Sequence, residues 1–94
     1  MKITVKQAYE IAKSELGNDF KILACTELLD SWIFAFQWAN GTAIFCPPIQ
    51  VKNNGICAFW DKKFQSAIEG AEWLEKNGKN IPIEELEKYK TNRP

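Results

Sequence analysis

The chain contains no histidine. That absence removes Ser-His-Asp and Cys-His catalysis, imidazole general-base chemistry and every zinc site with a histidine ligand. Charge of one sign is also missing, since twelve Lys and Arg balance twelve Asp and Glu. A nucleic-acid binder ordinarily carries a basic excess that neutralises phosphates, so the composition argues against DNA or RNA as a partner. The mild basic cluster of Lys76, Lys79, Lys88, Lys90 and Arg93 is interleaved with Glu72, Glu75, Glu84, Glu85 and Glu87, as on a solvated helical surface. No apolar run approaches the roughly eighteen residues that a membrane-spanning helix needs. The opening Met1-Lys2-Ile3-Thr4-Val5-Lys6 lacks the apolar core and cleavage site of a signal peptide.

Cysteine is scarce. Cys25, Cys46 and Cys57 are an odd number without Cys-x-x-Cys spacing, each in an apolar strand-like segment. Such spacing fits reduced, buried thiols in a soluble cytoplasmic protein better than a disulfide framework. None has a base nearby in sequence, and apolar neighbours raise a thiol pKa and blunt its reactivity. Glu84, Glu85 and Glu87 fall where carboxylates complement a helix dipole and face water. Asn53-Asn54-Gly55 lacks the further glycines and the Lys-Ser/Thr of a phosphate-binding loop. No catalytic residue, cofactor site or metal site is therefore expected, and the chain reads as a non-enzyme.

What is present is hydrophobic patterning. In Trp32-Ile33-Phe34-Ala35-Phe36-Gln37-Trp38-Ala39, large aromatics alternate with smaller residues, and Asn40-Gly41 follows. Alternation at period two predicts a strand, and Asn-Gly suits the positive φ angles of a type I′ hairpin turn. Upstream, Val5, Ala8, Tyr9, Ala12 and Leu16 form an apolar helical stripe over Val5 to Leu16. Thr4 and Gln7 have the spacing of a capping box, and Gly17 is the stop signal.

Strands are expected over Phe20 to Leu29, Trp32 to Ala39, Thr42 to Cys46 with a break at Pro47-Pro48, Ile49 to Lys52, and Ile56 to Phe59. A helix capped at Asp61 or a near neighbour runs to Asn77, burying Phe64, Ile68, Ala71 and Leu74, and Gly78 ends it. A last helix starts at Pro82 and runs to about Lys90, docked by Ile81, Ile83, Leu86 and Tyr89. Arg93 and Pro94 are expected to fray.

The expectation is one α+β domain over residues 1–94, ordered α-β-β-β-β-α-α, with an antiparallel meander of about four strands. By the size scaling, about 65% of the extended chain's surface is buried, enough for a core without metal or disulfide help.

Two-residue loops at Asp30-Ser31 and Asn40-Gly41 pair Leu29 with Trp32, Cys25 with Phe36, and Phe36 with Phe45. One face then carries Leu23, Cys25, Leu29, Trp32, Phe34, Phe36, Trp38 and Phe45, and the other Ile22, Ala24, Leu28, Ile33, Ala35 and Ile44. Both faces are apolar, so something must cover both. Helix one on one side and the C-terminal helices on the other would do so. Alternatively one face stays open to a second copy or another protein, or holds a small-ligand cleft. Among the tryptophans, Trp32 and Trp38 are assigned to the core. Trp60, half exposed at a strand end, and Trp73, one position off the helical stripe, are the candidate protein-interface residues.

Three segments, Val5 to Leu16, Ser31-Trp32-Ile33-Phe34-Ala35-Phe36, and Pro48-Ile49-Gln50-Val51 through Gly55-Ile56, together resemble the bacterial immunity protein 35 domain. The likeness spans about Ile3 to Phe59. The segment before Pro48 is shorter than in that family, and the helix from Phe64 onward is longer and more polar. The resemblance implies a non-enzymatic protein that binds and neutralises a co-encoded toxin. A self-associating structural or regulatory domain is the alternative, and an enzyme or small-molecule binder the third reading. The partners expected are thus a protein or a second copy, with no nucleic acid and no membrane.

Overall fold

The computed structural model describes residues 2–43 and 46–91, with the side chains of 88–91 set aside. Its elements are α1 (Val5–Leu16), β1 (Phe20–Glu27), β2 (Ser31–Trp38), β3 (Ile49–Lys52), β4 (Cys57–Phe59), α2 (Ala67–Asn77), β5 (Lys79–Ile81) and α3 (Ile83–Thr91). The class is α+β with an antiparallel sheet, as the sequence predicts, but the sheet has five strands in the order β4-β3-β2-β1-β5.

Helix α1 has the expected bounds because its signals are local. Thr4 Oγ1 accepts the Gln7 N–H at 3.1 Å, and Gln7 Oε1 accepts the Thr4 N–H at 2.8 Å. Two of the unpaired donors at the helix start are satisfied reciprocally. Gly17 then turns the chain at φ +80°.

Of the predicted strand Thr42 to Cys46, the described residues lie outside the sheet: Thr42 and Ala43 are irregular and Cys46 is a bend. Instead β2 pairs with β3, placing Val51 opposite Trp32 and Ile49 opposite Phe34. The turn after β2 spans three residues, since Trp38 N–H donates to Thr42 O at 3.1 Å and Gly41 N–H to Trp38 O at 2.9 Å. Only Gly41 has positive φ, at +94°, so the type I′ expectation fails at Asn40. Asn53-Asn54-Gly55 repeats the design, with Gly55 at φ +92° and Lys52 N–H donating to Ile56 O. In each loop the asparagine amide oxygen accepts an N–H two residues on, Asn40 from Thr42 and Asn54 from Ile56. The Cys46–Pro47 and Pro47–Pro48 bonds are trans.

The first hairpin is shifted by two residues from expectation, pairing Glu27 with Trp32 and Cys25 with Phe34. The longer loop leaves Leu29 fully exposed instead of facing the core. A bulge between Ile22 and Ala24 then moves Leu23 out of the ladder and brings Ile22 opposite Phe36. A bulge adds one residue to one strand, so the side-chain alternation changes phase across it. Ile22 therefore joins the core, while Leu23 is 47% and Trp38 40% exposed.

By this register one face carries Ile22, Cys25, Trp32, Phe34, Phe36, Ile49, Val51 and Ile81. Helices α1 and α3 both cover it, through Ala8, Tyr9, Ala12 and Leu86. Tyr9, one of the largest fully buried side chains, sits 6.3 Å from the Phe34 ring and donates to Glu87 Oε2 at 3.4 Å. The other face carries Ala24, Thr26, Ser31, Ile33, Ala35 and Gln50, smaller and more polar than predicted. Buried Ser31 accepts there from Gln50 Nε2 at 2.9 Å. Ile33 is 1% exposed and Phe34 is fully buried, so both sides of β2 are sheltered.

Helix α2 lies across this second face. Ser66 caps it in place of Asp61, accepting the Glu69 N–H at 3.2 Å, and the predicted Ile68 is 71% exposed. Gly78 ends α2 at φ −124°, an ordinary extended angle. A Cβ there would sit 2.3 Å from Thr26 Cγ2, so close approach is what requires glycine. From Gly78 the chain passes into β5, which pairs Asn80 with Thr26 along the free side of β1. Predicted positions of Ile44, Phe45, Arg93, Pro94 and the Tyr89 side chain lie outside the described residues.

Candidate protein interface

The two tryptophans singled out from sequence come together in space. Trp60 follows β4, where its N–H donates to Pro48 O at 2.8 Å. That bond extends the β3–β4 ladder and fixes where the indole leaves the sheet. Residues 61–65 then cross to the start of α2. There Glu69 Oε1 accepts the Gln65 N–H at 2.8 Å while the Glu69 N–H donates to Ser66 Oγ. These reciprocal bonds set the angle at which α2 leaves the loop.

One turn into α2, Gly70 is buried, and a Cβ there would meet Phe64 Cδ2 at 3.2 Å. The absent side chain is the seat of the Phe64 ring. Phe64 in turn holds the tryptophans, with ring centroids 5.4 Å from Trp60 and 6.2 Å from Trp73. The triangle closes with Trp60 and Trp73 at 5.8 Å. All three pairs are tilted, a geometry worth about 0.5–1.5 kcal/mol per pair beyond simple burial. Lys62 Nζ lies over the Trp73 ring, 4.7 Å from its centroid, and 5.7 Å from the centroid of Phe64. A cation on an exposed ring contributes about 0.5–1 kcal/mol. Asn77 Nδ2 donates to Trp73 O at 2.8 Å, fastening the last turn of the helix.

The cluster has a buried part and an open part. Trp60 is 7% exposed, where the sequence predicted a half-exposed side chain, because α2 folds down over it. Trp73 and Phe64 are half-buried. Around Trp73 runs a shallow depression bounded by Lys62, Lys63, Glu69, Glu72 and Lys76, so the rim mixes both signs of charge. An aromatic anchor inside a polar ring is the anatomy of a protein-binding hot spot.

The remaining reactive groups are dispersed. Cys25 is buried, whereas Cys46 and Cys57, expected in the core, are only half-buried, and all three are free thiols. Burial pushes the Cys25 thiol up to about 12, with Glu27 adding to the effect. Cys46 and Cys57 also rise, chiefly by burial, and Glu15 contributes at Cys57. Raised thiol pKa values disfavour the nucleophilic thiolate. Among the described residues no three Cys, Asp or Glu side chains gather as a metal site requires. None of the described helices is long and apolar enough to cross a membrane.

Trp60 and Trp73 were recognisable singly from their positions at a strand end and off a helical stripe. Phe64, Lys62 and Gly70 were not assigned to a site. The four-residue spacing of Trp60 and Phe64 was the one available signal for Phe64. No family model, no curated protein and no solved structure matches this chain.

Proposed function

We propose that this chain is a non-enzymatic protein-binding module that engages its partner through the Trp60–Phe64–Trp73 corner. The most concrete form of this reading is the one its resemblance implies, an immunity protein that neutralises a co-encoded toxin. The observation that carries it is Trp73 itself, half-buried on an aromatic base, overlaid by Lys62 and ringed by charges of both signs. Large rigid rings add contact area at low entropic cost, and a hydrated charged rim excludes water once a partner seats. Co-expression with the product of an adjacent toxin-like reading frame tests the idea. A one-to-one complex is expected, with Trp73→Ala weakening it by about thirtyfold or more. Absence of such a reading frame, failure to bind its product, or full affinity in Trp73→Ala would each count against it.

A second reading, self-association, is favoured by the edge of β4, which is unpaired among the described residues. The Lys52-to-Ile56 and Trp60-to-Pro48 bonds make 52/56, 50/58 and 48/60 the bonded pairs of the hairpin. Alternation then turns the N–H and C=O of Cys57 and Phe59 outward. Phe59 is 60% and Ile56 59% exposed beside that edge. Light scattering separates the readings, because a monomer at high concentration removes the second.

A further inference from the structure

Helix α2 does not seal against the sheet. A cleft of about 480 Å³ remains between them, walled by Ala35 from β2, by Pro48, and by Trp60, Phe64 and Leu74. Gly70 of α2 also lines it. That volume lies within the roughly 300–1,000 Å³ of ligand sites, which are mostly apolar with a few placed polar groups. The placed groups here carry one sign. Lys62 and Lys63 stand on its border, and the described lining contains no aspartate or glutamate. Among the described residues neither lysine forms an ion pair or hydrogen bond, Lys62 making only its ring contacts.

We infer that this cleft binds a small apolar monocarboxylate, its chain among the rings and its carboxylate at Lys62 and Lys63. Charge complementarity favours an anion, since a head group at the mouth of this cleft meets two lysines and no acid in its lining. Size bounds the chain. A water occupies about 30 Å³ and a methylene about as much, so 480 Å³ is about sixteen such volumes, an upper bound that accommodates the twelve heavy atoms of decanoate. This binding adjoins the proposed protein interface. It uses the inner wall of the aromatic cluster and leaves the outer face of Trp73 free, with the two lysines shared.

The test is titration of the full chain with decanoate, followed by calorimetry and by the rate of Cys46 alkylation. Cys46 lines the cleft and Cys57 does not, so Cys57 is the internal reference. Saturable one-to-one binding at about 0.1–1 mM is expected. Lys63→Gln should bind about three- to fivefold more weakly, and 1-decanol about tenfold. Decanoate should slow alkylation of Cys46 and not of Cys57. Ala71→Phe, which fills the cleft from α2, should abolish binding with the circular dichroism spectrum retained. If that variant unfolds, Lys63→Gln and the alkylation ratio decide alone. No saturable binding, decanol binding as tightly as decanoate, or equal protection of both cysteines would overturn the inference.

Discussion

Gly78→Ala is the sharpest perturbation of the fold that carries the aromatic corner. At φ −124° the backbone of Gly78 suits any residue, so the whole cost is steric. The new methyl would lie 2.3 Å from Thr26 Cγ2 and 3.1 Å from both Glu27 O and Leu28 Cδ2. Ordinary contact begins near 3.4 Å, so the first overlap exceeds an ångström. Thr26 cannot retreat, because β1 is laddered on both sides, to Ile33 of β2 and Asn80 of β5. The α2–β5 junction must shift instead, loosening the helix from the second face.

Overpacking of this kind costs about 1–3 kcal/mol. Alanine recovers about 0.4–1 kcal/mol by restricting the unfolded chain. Three contacts this close place the cost in the upper half of that range, about 2–3 kcal/mol, so the net expectation is a loss of about 1–2.5 kcal/mol, read from urea melts as a lower midpoint at unchanged slope. For a domain of this size, that corresponds to a melting temperature lower by about 4–20 °C. Thr26→Ser removes the methyl that clashes, so the Thr26→Ser/Gly78→Ala pair should regain about half the loss in a double-mutant cycle. A Gly78→Ala protein as stable as the parent, or one that Thr26→Ser fails to rescue, would refute the packing of α2 on β1.

Phe34→Ala, at a fully buried ring between α1 and the sheet, should cost about 3–5 kcal/mol in the same melts. Trp32→Phe should change stability by no more than about 1 kcal/mol: the buried Trp32 Nε1 has no acceptor among the described residues, so relief of its desolvation offsets the smaller ring. Stability should fall as pH rises from 9 towards 12, since the Cys25 thiol ionises near 9 when unfolded and about 12 when folded. The unfolded state then binds fewer protons across that window, and Tyr9, raised from 10 to about 12 chiefly by burial, acts the same way above 10. A urea midpoint that stays flat or rises over this range would contradict the burial of both groups. In native protein, Cys46 and Cys57 should be alkylated well before Cys25, which reacts only through unfolding.

Legibility in the sequence followed the range of the interactions involved. Helix α1 was readable to the residue because Thr4, Gln7 and Gly17 act within four positions of the backbone they satisfy. The apolar character of both faces of β2 was readable from its residues, whereas what covers each face was not. Strand β5 was not, because Lys79-Asn80-Ile81 has no apolar period and is held as a strand by β1, more than fifty positions earlier. The bulge at Leu23 changed the phase of β1 with no proline or glycine to announce it. At Thr42 to Cys46 the β-branched and aromatic residues suggested a strand, whereas the edge of β2 went to Ile49–Lys52 beyond the prolines. Trp60 and Trp73 stood out as single residues, but their meeting depends on α2 crossing the sheet, which no local pattern encodes.

Nuclear Overhauser spectra of the folded chain offer the most direct check that α2 and β5 build this corner. Ring contacts among Trp60, Phe64 and Trp73 are predicted together with backbone contacts between Thr26 and Asn80. Separate environments for the two indoles, with freely exchanging amides at Lys79 to Ile81, would contradict the arrangement on which the proposed binding surface rests.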